Sequence, residues 1–118
     1  MAHVLALVDD LFFQAKMLET AKHVGVNLQT CTTPDTLLGE VAKSVPNLVV
    51  IDLNARNSPI TAIKRMRAEA APVPLLAYLS HVQVDLAEQA RAAGCETVMP
   101  RSKFTRDLAT IFAKAKSE

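Results

Sequence analysis

The chain is poor in aromatic residues and has no long apolar run. Its 118 residues include no tryptophan, one tyrosine and four phenylalanines. No apolar run approaches the roughly 18 residues that span a bilayer, and no charged leader with a small-residue cleavage site opens the chain. With so few aromatic rings and no recognisable reader helix, direct nucleic-acid binding is not expected. These absences predict a cytoplasmic protein with neither a membrane nor a nucleic-acid partner.

Closely spaced cysteines, paired histidines and a dominant charge are also missing. Cys31 and Cys95 lie far apart and belong to no Cys-x-x-Cys motif, so neither a disulfide framework nor a zinc site is expected. None of His3, His23 and His81 has a second histidine at the spacing of a metal-ligand pair. Because 13 basic and 12 acidic residues nearly balance, no global field favours anionic partners. Buried, reduced thiols and structural histidines are the expectation.

What the chain does have is an alternation of two apolar periods. Short runs rich in branched residues alternate with longer stretches that repeat every three to four residues, which is typical of βαβ units. The predicted strands are 3–8, 27–32, 47–52, 73–79 and 95–99, and the predicted helices are 11–24, 34–45, 59–70, 82–93 and 105–116. Right-handed crossovers then give an α/β protein, a three-layer α/β/α sandwich around five parallel strands. Residues 1–118 are expected to form one domain.

Several helix boundaries carry their own signals. Thr33 and Ser58 each precede a proline, so each is predicted to cap a helix with its hydroxyl. Gly25 and Gly94 follow helical stretches at points where a left-handed residue would end the helix.

The first helix has apolar residues on more than one side. Leu11, Ala15 and Leu18 share one helical stripe and are predicted to face the core. Successive helical residues diverge by about 100°, so one of Phe12 and Phe13 must face outward.

Acidic residues follow two of the predicted strands. Asp9 and Asp10 come directly after the first strand, and Asp52 ends the third. The carboxyl ends of parallel strands meet at one edge of the sheet, so these three carboxylates can hold a hard divalent cation there. The other interpretation is that they are unrelated surface carboxylates at helix starts, where the helix dipole favours negative charge.

In this arrangement the chain resembles, over essentially its whole length, the receiver domain of bacterial two-component response regulators. The resemblance implies a flavodoxin-like receiver fold with strand order 2-1-3-4-5. It also implies that Asp9 and Asp10 bind Mg²⁺ and that Asp52 accepts a phosphoryl group from a histidine kinase or phosphotransfer protein. Asn54 would lend its backbone carbonyl to the metal, and its side chain would lie near the phosphoryl group. The chemistry expected is self-phosphorylation and self-dephosphorylation only, so the chain is not predicted to be an enzyme in the usual sense.

The residues that would sense the phosphoryl group depart from the family pattern. Ser80 matches the expected hydroxyl after a one-residue adjustment, and Arg101 aligns with the usual lysine, for which Lys103 is the other candidate. Arginine and lysine are not interchangeable here, because their heads differ in shape and hydrogen bonding. Val98 replaces the usual switch aromatic, and Tyr78 is interpreted as sheet packing. No proline follows the aligned Arg101, so the loop after the fifth strand is predicted to be trans.

These residues support two hypotheses of different classes. The first is a stand-alone receiver, a monomer or weak dimer, which signals to a protein partner through its fourth strand, fourth helix and fifth strand. The second is a pseudo-receiver, a protein-binding module that phosphorylation does not switch; Arg101, Val98 and the shifted Ser80 favour it. A third idea, a flavodoxin-like FMN protein, is disfavoured because Asp9 and Asp10 would repel phosphate.

Overall fold

Strands and helices alternate along the chain, as the two apolar periods predict. The computed structural model describes residues 2–70, 72–80 and 83–116. The strands are β1 (His3–Leu7), β2 (Asn27–Cys31), β3 (Leu48–Asp52), β4 (Leu75–Leu79) and β5 (Thr97–Pro100). The helices are α1 (Leu11–Val24), α2 (Pro34–Lys43), α3 (Pro59–Glu69), α4 (Val84–Ala93) and α5 (Arg101–Lys116).

The five strands form one parallel sheet in the order β2-β1-β3-β4-β5, which confirms the predicted topology. β3 is the central strand, and all five of its residues are buried, because helices cover both of its faces. No helix in the described part of the chain is both long enough and apolar enough to cross a membrane.

Each face of the sheet has its own apolar core. α1 and α5 cover one face, where Phe104 and Phe112 pack with Tyr78. α2, α3 and α4 cover the other face, where Leu37 and Ile63 are fully buried. The chain therefore has the three-layer architecture that the alternation of elements predicts.

Both cysteines are buried and free, as predicted. Burial raises the pKa of the Cys31 thiol to about 11, and it also raises the pKa of the Cys95 thiol. Neither thiol is therefore a reactive nucleophile in the folded chain.

Three of the four predicted helix-boundary signals are confirmed. The Thr33 hydroxyl accepts the Thr36 N–H at 3.1 Å, and Gly25 and Gly94 end α1 and α4 in the left-handed region, with φ of 84° and 116°. The prediction for Ser58 is wrong, because its side chain makes no capping hydrogen bond. Its φ is 54°, and its backbone alone leads into α3.

The predicted core stripe of α1 is also wrong. Leu11 and Leu18 are exposed, and the buried residues of this helix are Phe13, Met17 and Ala21. Phe12 is 92% exposed, so the expectation that one of the two phenylalanines faces outward is confirmed. Both stripes repeat every three to four residues, and only the direction in which α1 meets the sheet selects between them.

Some element boundaries differ from the predictions by up to four residues. α5 begins at Arg101 rather than at 105, directly after β5, because burial of Phe104 against the sheet makes its first turn part of the core. β4 and β5 each begin two residues later than predicted. The predicted start of α4 at 82 and the residue His81 lie outside the described residues.

Candidate functional site

The predicted acidic residues meet at the carboxyl edge of the sheet. β1 and β3 are neighbours in register, with Leu7 beside Ile51. The residues that follow this pair, Asp9 and Asp10 on one side and Asp52 on the other, therefore lie at the same edge. The three carboxylates nevertheless have quite different environments.

Asp10 is the most heavily engaged of the three acids. Its Oδ1 accepts the N–H groups of Phe12 and Phe13 at 3.0 and 3.2 Å, so it is the N-cap of α1. Its Oδ2 accepts from Nη2 of Arg101 at 2.9 Å. The Phe13 N–H and the Arg101 guanidinium hold the pKa of Asp10 below its usual value. The helix-start interpretation of the sequence is therefore right for this residue.

Asp9 points toward the loop after β3. Its Oδ2 accepts the backbone N–H of Arg56 at 2.9 Å, a bond that ties the loop after β1 to the loop after β3. The side chain of Arg56 itself is exposed. Asp9 therefore helps to position the loop that follows Asp52 and retains one carboxylate oxygen without a hydrogen bond among the described residues.

Asp52 is the only charged residue that is buried among the described residues, with 5% of its surface exposed. Its Oδ1 accepts the backbone N–H of Asn54 at 2.8 Å. Burial raises the pKa of Asp52; the Asn54 bond and the positive charge of Arg101 oppose the shift, and Asp9 adds to it. Such a perturbed carboxylate at a strand end is a recognised mark of functional sites.

Asn54 joins this acid to the loop after β4. Its Oδ1 accepts the backbone N–H of Ser80 at 3.0 Å, and its Nδ2 donates to Oε1 of Gln83 at 2.7 Å. Ser80 directly follows β4, at the same edge of the sheet as Asp52. The structure thus brings Asn54 and Ser80 together beside the acids, as the resemblance predicts.

Arg101 and Lys103 have different partners, although both lie in the first turn of α5. Arg101 pairs with Asp10, and its guanidinium carbon lies 4.6 Å from the centre of the Phe13 ring. Lys103 pairs instead with Asp107 on its own helix, with 3.1 Å between Nζ and Oδ2. No cis peptide bond occurs among the described residues, so the peptides after β5 are trans as predicted, although α5 begins there without a loop. Of the two basic candidates, Arg101 is the one that the structure places at the acids.

The inner wall of the site is aromatic. Tyr78 pairs with Asp52 in the register of β3 and β4, and its ring stacks on Phe104 with centroids 4.6 Å apart. Phe13 completes the cluster, 5.2 Å from Tyr78. The Tyr78 hydroxyl has no partner with good hydrogen-bond geometry among the described residues. Burial and the nearby charge of Asp52 raise the pKa of this hydroxyl. Tyr78 therefore packs, as the sequence predicts, while its hydroxyl stays close to the acid.

Two residues of the site were not identified from the sequence. No local sequence pattern indicates that Gln83 belongs to the site, because its partner Asn54 is distant in the chain. The contact of Phe13 with Arg101 is equally long-range and depends on how α1 is rotated.

The oxygens present suit a hard cation in part. Asp9 and Asp52 each have a carboxylate at the site, and the carbonyl of Asn54 accepts none of the described hydrogen bonds. Asp10 can contribute only an oxygen that Arg101 now occupies. Within the described ranges no group of three acidic, histidine or cysteine side chains is close enough to hold a metal ion as it stands. A divalent cation bound by Asp10 would have to displace Arg101 from that carboxylate.

Comparison with known proteins supports the fold at low sequence identity. A scan of protein-family models finds no match to the chain, and neither does a search of curated proteins. Solved structures do match. A Francisella response regulator receiver domain has a TM-score of 0.83 at 13% identity, with 99% of this chain and 98% of that chain covered. A response regulator receiver protein from Burkholderia phymatum has a TM-score of 0.72 at 22% identity, with 95% of each chain covered.

A longer protein matches as well. NtrX from Brucella abortus has a TM-score of 0.77 at 16% identity; the match covers 99% of this chain but only 28% of that one. The class defined by fold and site is therefore a doubly wound α/β protein with acids at the carboxyl edge of its sheet. Within that class the chain has the receiver fold of response regulators.

Proposed function

We propose that this chain is a receiver module that accepts a phosphoryl group on Asp52 in a Mg²⁺-dependent reaction and signals through a protein partner. The observation that carries the proposal is the buried carboxylate of Asp52 at the end of the central strand. Asp9 and Arg101 lie close enough to affect the pKa of this carboxylate. The receiver fold supports the same conclusion.

The proposed reaction is a direct phosphoryl transfer. A carboxylate oxygen of Asp52 forms a bond to phosphorus, while the bond between phosphorus and the donor atom breaks and the donor leaves with that electron pair. Mg²⁺, held by Asp9, Asp52, the Asn54 carbonyl and a released Asp10, would neutralise charge on the transferring group. Arg101 and the Ser80 hydroxyl would contact the phosphoryl oxygens at the same edge.

The class of phosphoryl donor is proposed from the same chemistry. A phosphohistidine on a histidine kinase or phosphotransfer protein has the leaving group that this reaction needs. The proposed compartment is the cytoplasm, where buried reduced thiols such as Cys31 and Cys95 persist.

A specific observation favours a second candidate, the pseudo-receiver. Both carboxylate oxygens of Asp10 are occupied, by the α1 amides and by Arg101, so cation binding must compete with an internal ion pair. A chain in which that pair persists would keep the fold as a binding module without phosphorylation.

One experiment separates the two candidates. The protein is incubated with acetyl phosphate and Mg²⁺, and its intact mass is measured. The wild type is expected to gain one phosphoryl group, and EDTA should abolish the gain. Asp52→Asn should gain none, whereas Asp35→Asn, which alters an exposed acid of α2, should behave like the wild type. A wild type without the adduct, or an equal adduct on Asp52→Asn, would overturn the proposal.

A further inference from the structure

The loop after β3 is bonded to each of the other loops at the carboxyl edge described above. The Arg56 N–H reaches Asp9 after β1, and Nδ2 of Asn57 reaches the carbonyl of Thr32 after β2. The side chain of Asn54 reaches the loop after β4. Of these contacts, only that of Asn54 leads toward α4.

Asn54 makes three short hydrogen bonds in two directions. Its backbone N–H donates to Asp52 at 2.8 Å, while its side chain accepts from Ser80 at 3.0 Å and donates to Gln83 at 2.7 Å. All three bonds belong to one residue. If a change at Asp52 rotates the peptide that carries the Asn54 N–H, the side chain of Asn54 moves with it. Hydrogen bonds weaken steeply with distance and angle, so a small displacement is enough to break them.

The far end of this connection is a weakly anchored helix. Gln83 is the N-cap of α4 but makes no capping hydrogen bond, and its side chain accepts from Asn54. Ala90 is the only buried residue of α4, whereas α5 buries four. With so little apolar packing, the start of α4 depends strongly on its polar contacts.

We propose that Asn54 is a positioning residue that couples the state of Asp52 to the start of α4. When Asp52 loses its acceptor oxygen, or when the Asn54 carbonyl turns toward a cation, the Asn54 side chain releases Ser80 and Gln83. The coupling itself needs no phosphoryl group. Its use in signalling rests on the proposed function of Asp52.

The test is a double-mutant cycle read by amide hydrogen exchange in NMR, without any phosphodonor. The reporters are the N–H of Ser80 and the N–H of Ala87, which bonds the carbonyl of Gln83. Asp52→Ala removes the acceptor and should speed exchange at both reporters about fivefold, the equivalent of one net hydrogen bond. In an Asn54→Ala background, where exchange is already faster, Asp52→Ala should add almost nothing.

Three further variants separate coupling from a general loss of structure. Asp52→Asn keeps an acceptor oxygen and should restore slow exchange. Gln83→Ala should affect Ala87 more than Ser80, because it breaks only one of the two side-chain bonds. Asn57→Ala loosens the same loop on the side of Thr32 and should leave both reporters unchanged. Equal effects of Asp52→Ala in both backgrounds, or none in either, would overturn the inference.

A second arm distinguishes this inference from the proposed function. With acetyl phosphate and Mg²⁺, wild type and Asn54→Ala are compared at equal occupancy of the adduct. Faster exchange at the reporters in the wild type alone supports coupling through Asn54. The same change in both proteins overturns that coupling while the function stands. Absence of any adduct overturns the function, and the mutant cycle still decides the coupling.

Discussion

The two flanks of the acidic site are held by different interactions, ring packing on one side and hydrogen bonds on the other. The aromatic flank, made of Phe13, Tyr78 and Phe104, is buried under α1 and α5. The polar flank, made of Asn54, Ser80 and Gln83, lies at the surface before α4 and depends on hydrogen bonds. Apolar burial and ring packing resist displacement, whereas exposed hydrogen bonds exchange with water at little cost. The aromatic flank of the site is therefore rigid, and the polar flank is the one that can move.

The largest expected effect comes from removing one apolar side chain from the aromatic flank and one from α4, the helix that follows the polar flank. Phe104→Ala should lower the free energy of unfolding by about 3–5 kcal/mol, because it opens a cavity beneath Tyr78. Leu86→Ala, on the half-buried face of α4, should cost about 1 kcal/mol. Urea unfolding at pH 7 measures both. Equal losses would contradict the distinction between the flanks.

A smaller effect on the free energy of unfolding is expected from Asp52, which lies between the two flanks. Burial raises the pKa of Asp52 above the ordinary value of 3.8, so this carboxyl group binds a proton more readily in the folded chain than in the unfolded chain. The penalty for burying its charge is present above the folded-state pKa and disappears as the pH falls toward 3.8.

Asp52→Asn should therefore stabilise the chain at pH 7, because it removes the buried negative charge. Its advantage over the wild type should shrink as the pH is lowered. Urea unfolding of both proteins across this pH range gives the comparison. An advantage that grows on acidification would show that the Asp52 carboxylate is stabilised in the fold.

The smallest effect concerns the ion pair that crosses the site. Arg101→Ala releases Asp10 and should tighten Mg²⁺ binding by up to about fivefold, as expected for loss of one exposed ion pair. The Mg²⁺-dependent rise in melting temperature reports this change.

Lys103→Ala is the matched control, because it removes a neighbouring positive charge that pairs with Asp107 instead. It should leave the Mg²⁺ effect close to that of the wild type. If the two variants behave alike, general charge rather than the contact with Asp10 controls the cation.

Much of the fold could be predicted because its signals are local. Thr33 before a proline and the glycines Gly25 and Gly94 mark helix ends through their own backbone chemistry. The unbroken apolar run of β3 likewise indicates a strand covered on both faces. The rotation of α1 could not be predicted in this way, because two of its stripes are apolar and only the neighbouring sheet and helix select one.

The acids of the site could be predicted for the same topological reason. Asp9 and Asp10 follow β1 and Asp52 ends β3, so parallel pairing of these strands places all three acids at one edge of the sheet. Their division of labour could not be predicted. Asp10 caps a helix and binds Arg101, whereas Asp52 is buried, and those environments come from residues distant in the chain.

The sequence by itself therefore determined the order of elements, the parallel sheet and the edge at which the carboxylates meet, because periodicity and strand ends are local properties. Only the tertiary structure decided that Arg101 rather than Lys103 reaches the acids, and that Asn54 bonds Ser80 and Gln83. Those contacts join separate loops. Their geometry depends on how each helix packs on the sheet, which short-range patterns do not specify.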